Sequence, residues 1–221
     1  MRRVIFANNE TYHVFNRGVE KRPTFTDKRE YERAILTLDY YRVKNPVLRL
    51  AKALQLKREE REKYFLHLRQ EGKRLIEVVS YCLMPNHFHF LIKQIEEGGV
   101  PKFISNFTNS YTRYFNTKNK RTGPLFQGIF KAVRIEDNEQ LLHVSRYIHL
   151  NPVSSYVIKE KDLDTYPWSS FLEFLNHAEK GLCDKEIILD QFSSINNYRK
   201  FVYDQIDYAQ NLETIRHLIF D

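Results

Sequence analysis

The sequence predicts an α+β protein: a ferredoxin-like, four-stranded antiparallel sheet with crossover helices, followed by a third helix and a helical extension. Three observations carry this. The β-branched and aromatic run "LIEVVSYCLM" is followed by Pro85-Asn86 and then by the alternating "HFHFLIK", which together read as a β-hairpin. Amphipathic stretches of helical period lie on both sides of that hairpin. Short strand-like runs, "TYHVF" and "LFQGIFKAVRI", open and close the unit.

In chain order, the first strand runs from Tyr12 to Phe15 and leaves through Asn16-Arg17-Gly18, where glycine permits a sharp exit. Thr26 or Asp27 can cap a helix reaching Tyr41, with Tyr31, Ala34, Ile35 and Leu38 at helical spacing. Residues 45–73 are crowded with Lys, Arg and Glu, with apolar residues every three or four positions; they read as one or two exposed helices inserted before the hairpin. Beyond the hairpin, Pro101 marks a helix start, and Phe103, Phe107, Tyr111, Tyr114 and Phe115 recur along one side as far as Asn116. The basic loop "KNKRTGP" ends that helix and the last strand follows. Asp137 or Asn138 then caps a helix through Leu141, Leu142, Val144 and Ile148, expected to stop at Asn151-Pro152. Short helices follow Asp164, so the chain divides into a domain over 1–160, containing the insertion, and a C-terminal helical extension over 161–221.

Composition narrows the function. The chain has 221 residues, enough for one sizeable core, and a net charge of +7 with 14% aromatic residues. Cations hold phosphates and rings stack on unpaired bases, so this pairing suggests a nucleic-acid partner. Cys82 and Cys183 are the only cysteines, which argues against a disulfide framework and fits a reducing cytosol. No targeting signal and no apolar run long enough to span a bilayer is found, so a cytoplasmic, nucleoid-associated protein is expected.

The candidate chemistry begins at "NHFHF". On a strand, His87 and His89 share one face while Phe88 and Phe90 share the other, a geometry suited to two ligands of one metal ion. The same pattern also suits imidazoles making ordinary hydrogen bonds. In the helix after the last strand, Tyr147 and Asn151 lie four apart, on one face. A tyrosine hydroxyl is a weak nucleophile unless its target is polarised, and a divalent ion on His87 and His89, with the Asn151 oxygen as a third donor, could polarise a phosphate. His143 falls on the same helix face, while Tyr111 and Tyr114 are rival tyrosines whose spacing with the phenylalanines reads as packing.

At this point the motifs carry a resemblance. "YHVFNRG", "YCLMPNHFHFLI", "GPLFQGIFKA", "RYIHLNPV" and "YPWSS", in that order, resemble the single-tyrosine transposases of the HUH (His-hydrophobic-His) superfamily, and most of all the REP-associated tyrosine transposases. The resemblance runs from Tyr12 to Phe171. It implies Mg²⁺ or Mn²⁺ on His87 and His89, with Asn151 in the third-ligand position. Tyr147 would attack a single-stranded DNA phosphate, leaving a 5′-phosphotyrosyl link and a free 3′-hydroxyl. Where the family usually has Arg, this chain has Ile129, so that expected DNA contact is either missing or supplied by Lys131 or Arg134.

The expected DNA-binding set is Arg17, Lys21 and Arg22 after the first strand, Lys118, Lys120 and Arg121 in the loop before the last, and Gln127, Lys131 and Arg134 around that strand. The expected partner is a single-stranded DNA hairpin of a repetitive palindromic element, and a homodimer is left open. Two other readings stay in play: a hairpin-binding module that does not cut, and an RNA-binding ferredoxin-like sheet that stacks bases on its aromatic residues.

Overall fold

The computed structural model describes residues 4–176 and 181–211. Its secondary structure follows the side-chain periods of the sequence. Period-two alternation builds β1 (Thr11–Arg17), whose even-numbered residues are buried and odd-numbered ones half-buried. Asp27 caps α1 (Lys28–Tyr41) by accepting from the Glu30 N–H at 3.0 Å. The charged insertion forms a short α2 (Leu50–Ala53) and the 14-residue α3 (Arg58–Glu71), which buries no residue fully.

The hairpin follows as β2 (Ile76–Met84) and β3 (His87–Gln94), then α4 (Gly99–Lys118), β4 (Lys131–Arg134) and α5 (Asn138–Ser154). All strand pairs are antiparallel and the sheet order is β2-β3-β1-β4, the ferredoxin-like arrangement. The C-terminal part adds α6 (Phe171–Leu175), α7 (Glu186–Leu189) and α8 (Ile195–Tyr203); the last expected helical stretch, beyond residue 211, lies outside the described residues.

The two sheet faces carry different cores. Tyr12, Val14, Phe88, Phe90 and Ile92 pack under α1 and α4, where Phe103, Phe107 and Tyr111 are fully buried. The other face meets α5 and the C-terminal helices, joining Cys82, Met84 and Leu91 to Ile148, Phe171, Phe174, Tyr198 and Val202. The extension thus shares a core with α5.

Three local expectations are corrected. Of "LFQGIFKAVRI" only Lys131–Arg134 pairs as a strand; Phe126 forms one isolated bridge to Gly18, and Ile129 stands 89% exposed. Helix α5 runs through Pro152 to Ser154, because the proline forfeits a single hydrogen bond and the Ser155 N–H still reaches the Asn151 carbonyl at 3.0 Å. Gly18 has an ordinary extended conformation, and what requires glycine there is proximity: a Cβ would stand 2.3 Å from the Arg22 carbonyl oxygen.

Candidate active site

Register decides what stands beside the two histidines. His89 is opposite Cys82 on one side and Phe15 on the other, and His87 is opposite Met84 and Arg17. Facing residues of adjacent strands share a sheet face, so His13, Phe15 and Arg17 of β1 join His87 and His89 on the α5 side, while Phe88 and Phe90 point into the α1/α4 core.

Each histidine has its Nδ1 engaged. That of His87 lies 2.6 Å from Asn86 Oδ1, so it carries the proton and donates to the turn residue. That of His89 lies 2.9 Å from His13 Nε2. Placing the proton on His89 Nδ1, with His13 accepting, would give both strand histidines the tautomer in which Nε2 offers its lone pair, as a metal ligand must. His13 can accept because burial takes its imidazole from 6.5 down to about 4, leaving it neutral at neutral pH.

Tyr147 stands over this group. Its ring meets His89 edge-on at 5.5 Å between centroids and His13 at 5.9 Å, and it is 40% exposed, so its aromatic edge is held by the histidines at an open surface. Asn151, one turn on, is buried, and its Nδ2 donates to the Tyr147 carbonyl at 2.9 Å; Oδ1 is left as the atom through which it could bind a cation. Among the described residues no group of three or more His, Cys, Asp or Glu side chains is placed to hold a metal ion. A set made of two imidazoles and an amide oxygen is chemically suited to a divalent ion that must keep open positions for substrate.

The helix bearing Tyr147 is anchored from behind. His149 is fully buried; its Nε2 lies 2.8 Å from Ser170 Oγ and its Nδ1 2.7 Å from the Tyr198 hydroxyl. Ser170 in turn accepts from the Tyr81 N–H of β2 at 2.9 Å, so the "YPWSS" segment clamps α5 to the sheet.

The expected DNA-binding residues separate by place. Arg17 and Lys131 lie on the histidine face, opposite His87 and Phe15 respectively, and exposed Gln127 is tied to that corner by its N–H to the Arg17 carbonyl at 2.8 Å. Arg134 projects to the other face and pairs with Glu10 at 2.8 Å. Arg22 pairs with Glu20 at 2.8 Å, and the Lys21 carbonyl accepts from the Asn86 side chain of the hairpin turn. Lys118 is held by Asp27 and Glu30, Arg121 donates to Asn116 and to the Pro124 carbonyl, and Lys120 is exposed. His143 contacts Arg146 at 2.6 Å.

His13 is the residue that spacing did not reveal. Its signal was present, since "TYHVF" puts it on the same strand face as Phe15 and Arg17, but its partner lies 76 residues away.

Comparison with known proteins places this arrangement. The model of the family of IS200-like transposases matches residues 48–151, which span the hairpin, α4 and the Tyr147 helix. No curated protein matches the chain. Among solved structures, a REP-associated tyrosine transposase bound to a REP hairpin is similar, with a TM-score of 0.52 and 16% identity over 79% of this chain and 84% of that one. A transposase from Deinococcus radiodurans has a TM-score of 0.35 and 14% identity over 67% and 95% of the two chains. Among the described residues no helix is long and apolar enough to cross a membrane. The segment over 48–151 is thus similar to the IS200-like transposases, and the chain has the fold of a REP-associated tyrosine transposase.

Proposed function

We propose that this protein cuts and rejoins single-stranded DNA at hairpin-forming repeats, with Tyr147 as the nucleophile and a divalent cation, Mg²⁺ or Mn²⁺, held by His87, His89 and the Asn151 oxygen. The observation that carries the proposal is the contact of the Tyr147 ring with His89, on a strand where both histidines have Nδ1 engaged by a neighbour. DNA transposition is the business of the family, and the hairpin partner is suggested by the REP hairpin bound to the similar transposase.

Tyr147 Oη attacks the phosphorus; an O–P bond to tyrosine forms, the bond to the 3′-oxygen breaks, and that oxygen leaves as a 3′-hydroxyl. The proton lost by the tyrosine and the one gained by the leaving oxygen balance. When bound, the cation polarises the phosphate and offsets the negative charge that grows on its oxygens. Arg17 and Lys131, on the same face, add positive charge beside the strand being cut. His13 keeps His89 oriented, and Asn151 ties its amide to the Tyr147 backbone, so nucleophile and ligand move as one unit of α5. Because the phosphodiester bond is exchanged rather than hydrolysed, a 3′-hydroxyl can reverse the step without an energy source. The reaction would take place in the cytoplasm, at the nucleoid.

The test is a denaturing gel of the protein with labelled hairpin oligonucleotides and Mn²⁺, with Tyr147→Phe in parallel. A metal-dependent adduct that survives denaturation and is absent from the variant supports the proposal. Native binding without an adduct from either protein would make the chain a hairpin-binding module. A base-stacking sheet of the RNA-binding kind is disfavoured by Phe88 and Phe90, both fully buried.

A further inference from the structure

On the side of the sheet away from Tyr147, α1, α4 and the start of the inserted segment enclose a cleft of about 630 Å³. Its cations are Arg33, Arg49, Arg113 and Lys118, and no carboxylate lines it. Lys118 is neutralised by Asp27 and Glu30, but the three arginines take part in no ion pair among the described residues. Arg33 lies over the Tyr114 ring at 5.0 Å, and its Nε is buried without a hydrogen-bond partner. A desolvated guanidinium donor with no acceptor is costly, and an anion entering the cleft would relieve it.

The opposite wall is a polar stripe along α4. Asn106, Asn109, Ser110, Arg113 and Thr117 recur three or four residues apart and line the cleft together. Phe103, Phe107, Tyr111 and Phe115 of the same helix turn inward to the core, while Tyr114 stays at the cleft edge beside the polar stripe. Amides and hydroxyls beside guanidinium groups suit phosphates and base edges, and the rings of Tyr41 and Tyr114 offer faces to a base. The volume falls in the roughly 300–1,000 Å³ of small-ligand pockets, which fits a nucleotide and is too confined for a duplex.

We propose that this cleft is a second DNA contact, holding an unpaired nucleotide of the strand that flanks the hairpin, with its base among Tyr41 and Tyr114 and its phosphates on Arg49 and Arg113. The basic insertion over 45–73 thereby acquires a role, because it contributes the wall that carries Arg49. The proposal rests on DNA being the partner and is independent of Tyr147 chemistry.

The experiment uses the full chain with Arg49→Glu and Arg113→Glu together, both exposed positions, checked for folding by a thermal melt. Fluorescence anisotropy measures binding of a hairpin with a single-stranded flank and of the same hairpin without one, across a salt series. The expected result is an affinity loss of about tenfold or more confined to the flanked hairpin, with the salt slope reduced by about 1.4, two single-strand phosphate contacts at roughly 0.7 each. Unchanged affinity and slope with the flanked DNA would overturn the proposal. Equal losses with both DNAs would also overturn it, by assigning the cleft to the stem. Repeating the series in Tyr147→Phe separates the two readings: failure of the tyrosine chemistry leaves this flank dependence intact.

Discussion

A cluster of three histidines and a single buried histidine lie on opposite sides of α5, and they differ in what the rest of the molecule asks of them. His13, His87 and His89 gather at a half-open sheet face under a partly exposed tyrosine. His149, two residues beyond Tyr147 and hence on the other side of the helix, is sealed between Ser170, Tyr198 and the rings of Phe171 and Phe174. Burial keeps both His13 and His149 neutral, the latter from 6.5 down to about 3. Both of the His149 nitrogens are used inside the protein, whereas His87 and His89 meet Asn86 and His13 through Nδ1. A histidine's role here is set by the second nitrogen: spent on the fold, it is structural, and turned to a cleft, it can serve a reaction.

Substitutions can break that comparison, beginning with the largest effect. Tyr147→Phe is expected to reduce the covalent DNA adduct by at least about a thousandfold, the scale of losing a nucleophile, while native gel-shifts persist. His87→Ala or His89→Ala should lower adduct yield by about a hundredfold or more, with Mn²⁺ affinity lost in calorimetric titration and the melting temperature little changed. A strongly destabilised His89→Ala protein would instead make that residue structural, like His149.

His149→Ala should do the reverse. Two hydrogen bonds and fully buried volume are lost, so unfolding in urea should become easier by about 3 kcal/mol, with adduct formation per folded molecule retained. His13→Ala lies between the two cases: about a ten- to hundredfold loss of metal affinity is expected, the usual scale for a partner that orients a ligand. In His13→Gln, where an amide oxygen can accept in its place, affinity should partly recover.

A pH slope sharpens the comparison further. The folded-state value of His149 lies below its unfolded one, so the unfolded chain binds the extra proton between them. Its stabilising contribution is complete above the unfolded value and is lost as pH falls from 6.5 toward about 3, by about 1.4 kcal/mol per pH unit. Urea melts of the parent and His149→Ala over that range should show the parent losing stability more steeply; parallel curves would mean that His149 is protonated in the folded chain.

Much of the site could be read from local pattern. Alternation placed His87 and His89 on one face and Phe88 and Phe90 on the other, and the helical period put Tyr147 and Asn151 one turn apart. The cations were harder. Arg17 and Lys131 reach the histidine face, yet Arg134 belongs to the opposite one, and Lys118 is absorbed by Asp27 and Glu30 of another segment. A loop's charge says nothing about which carboxylate will meet it.

By itself, then, the sequence determined the element order, the faces of each strand and helix, and which candidate residues share a face, because side-chain direction within an element follows from backbone period alone. Only the tertiary structure decided that His13 meets His89, that "YPWSS" clamps the Tyr147 helix, and that the insertion closes a cleft of arginines on the far side of the sheet. Those are pairings between distant segments, and they depend on strand register and helix docking, which the whole core sets together.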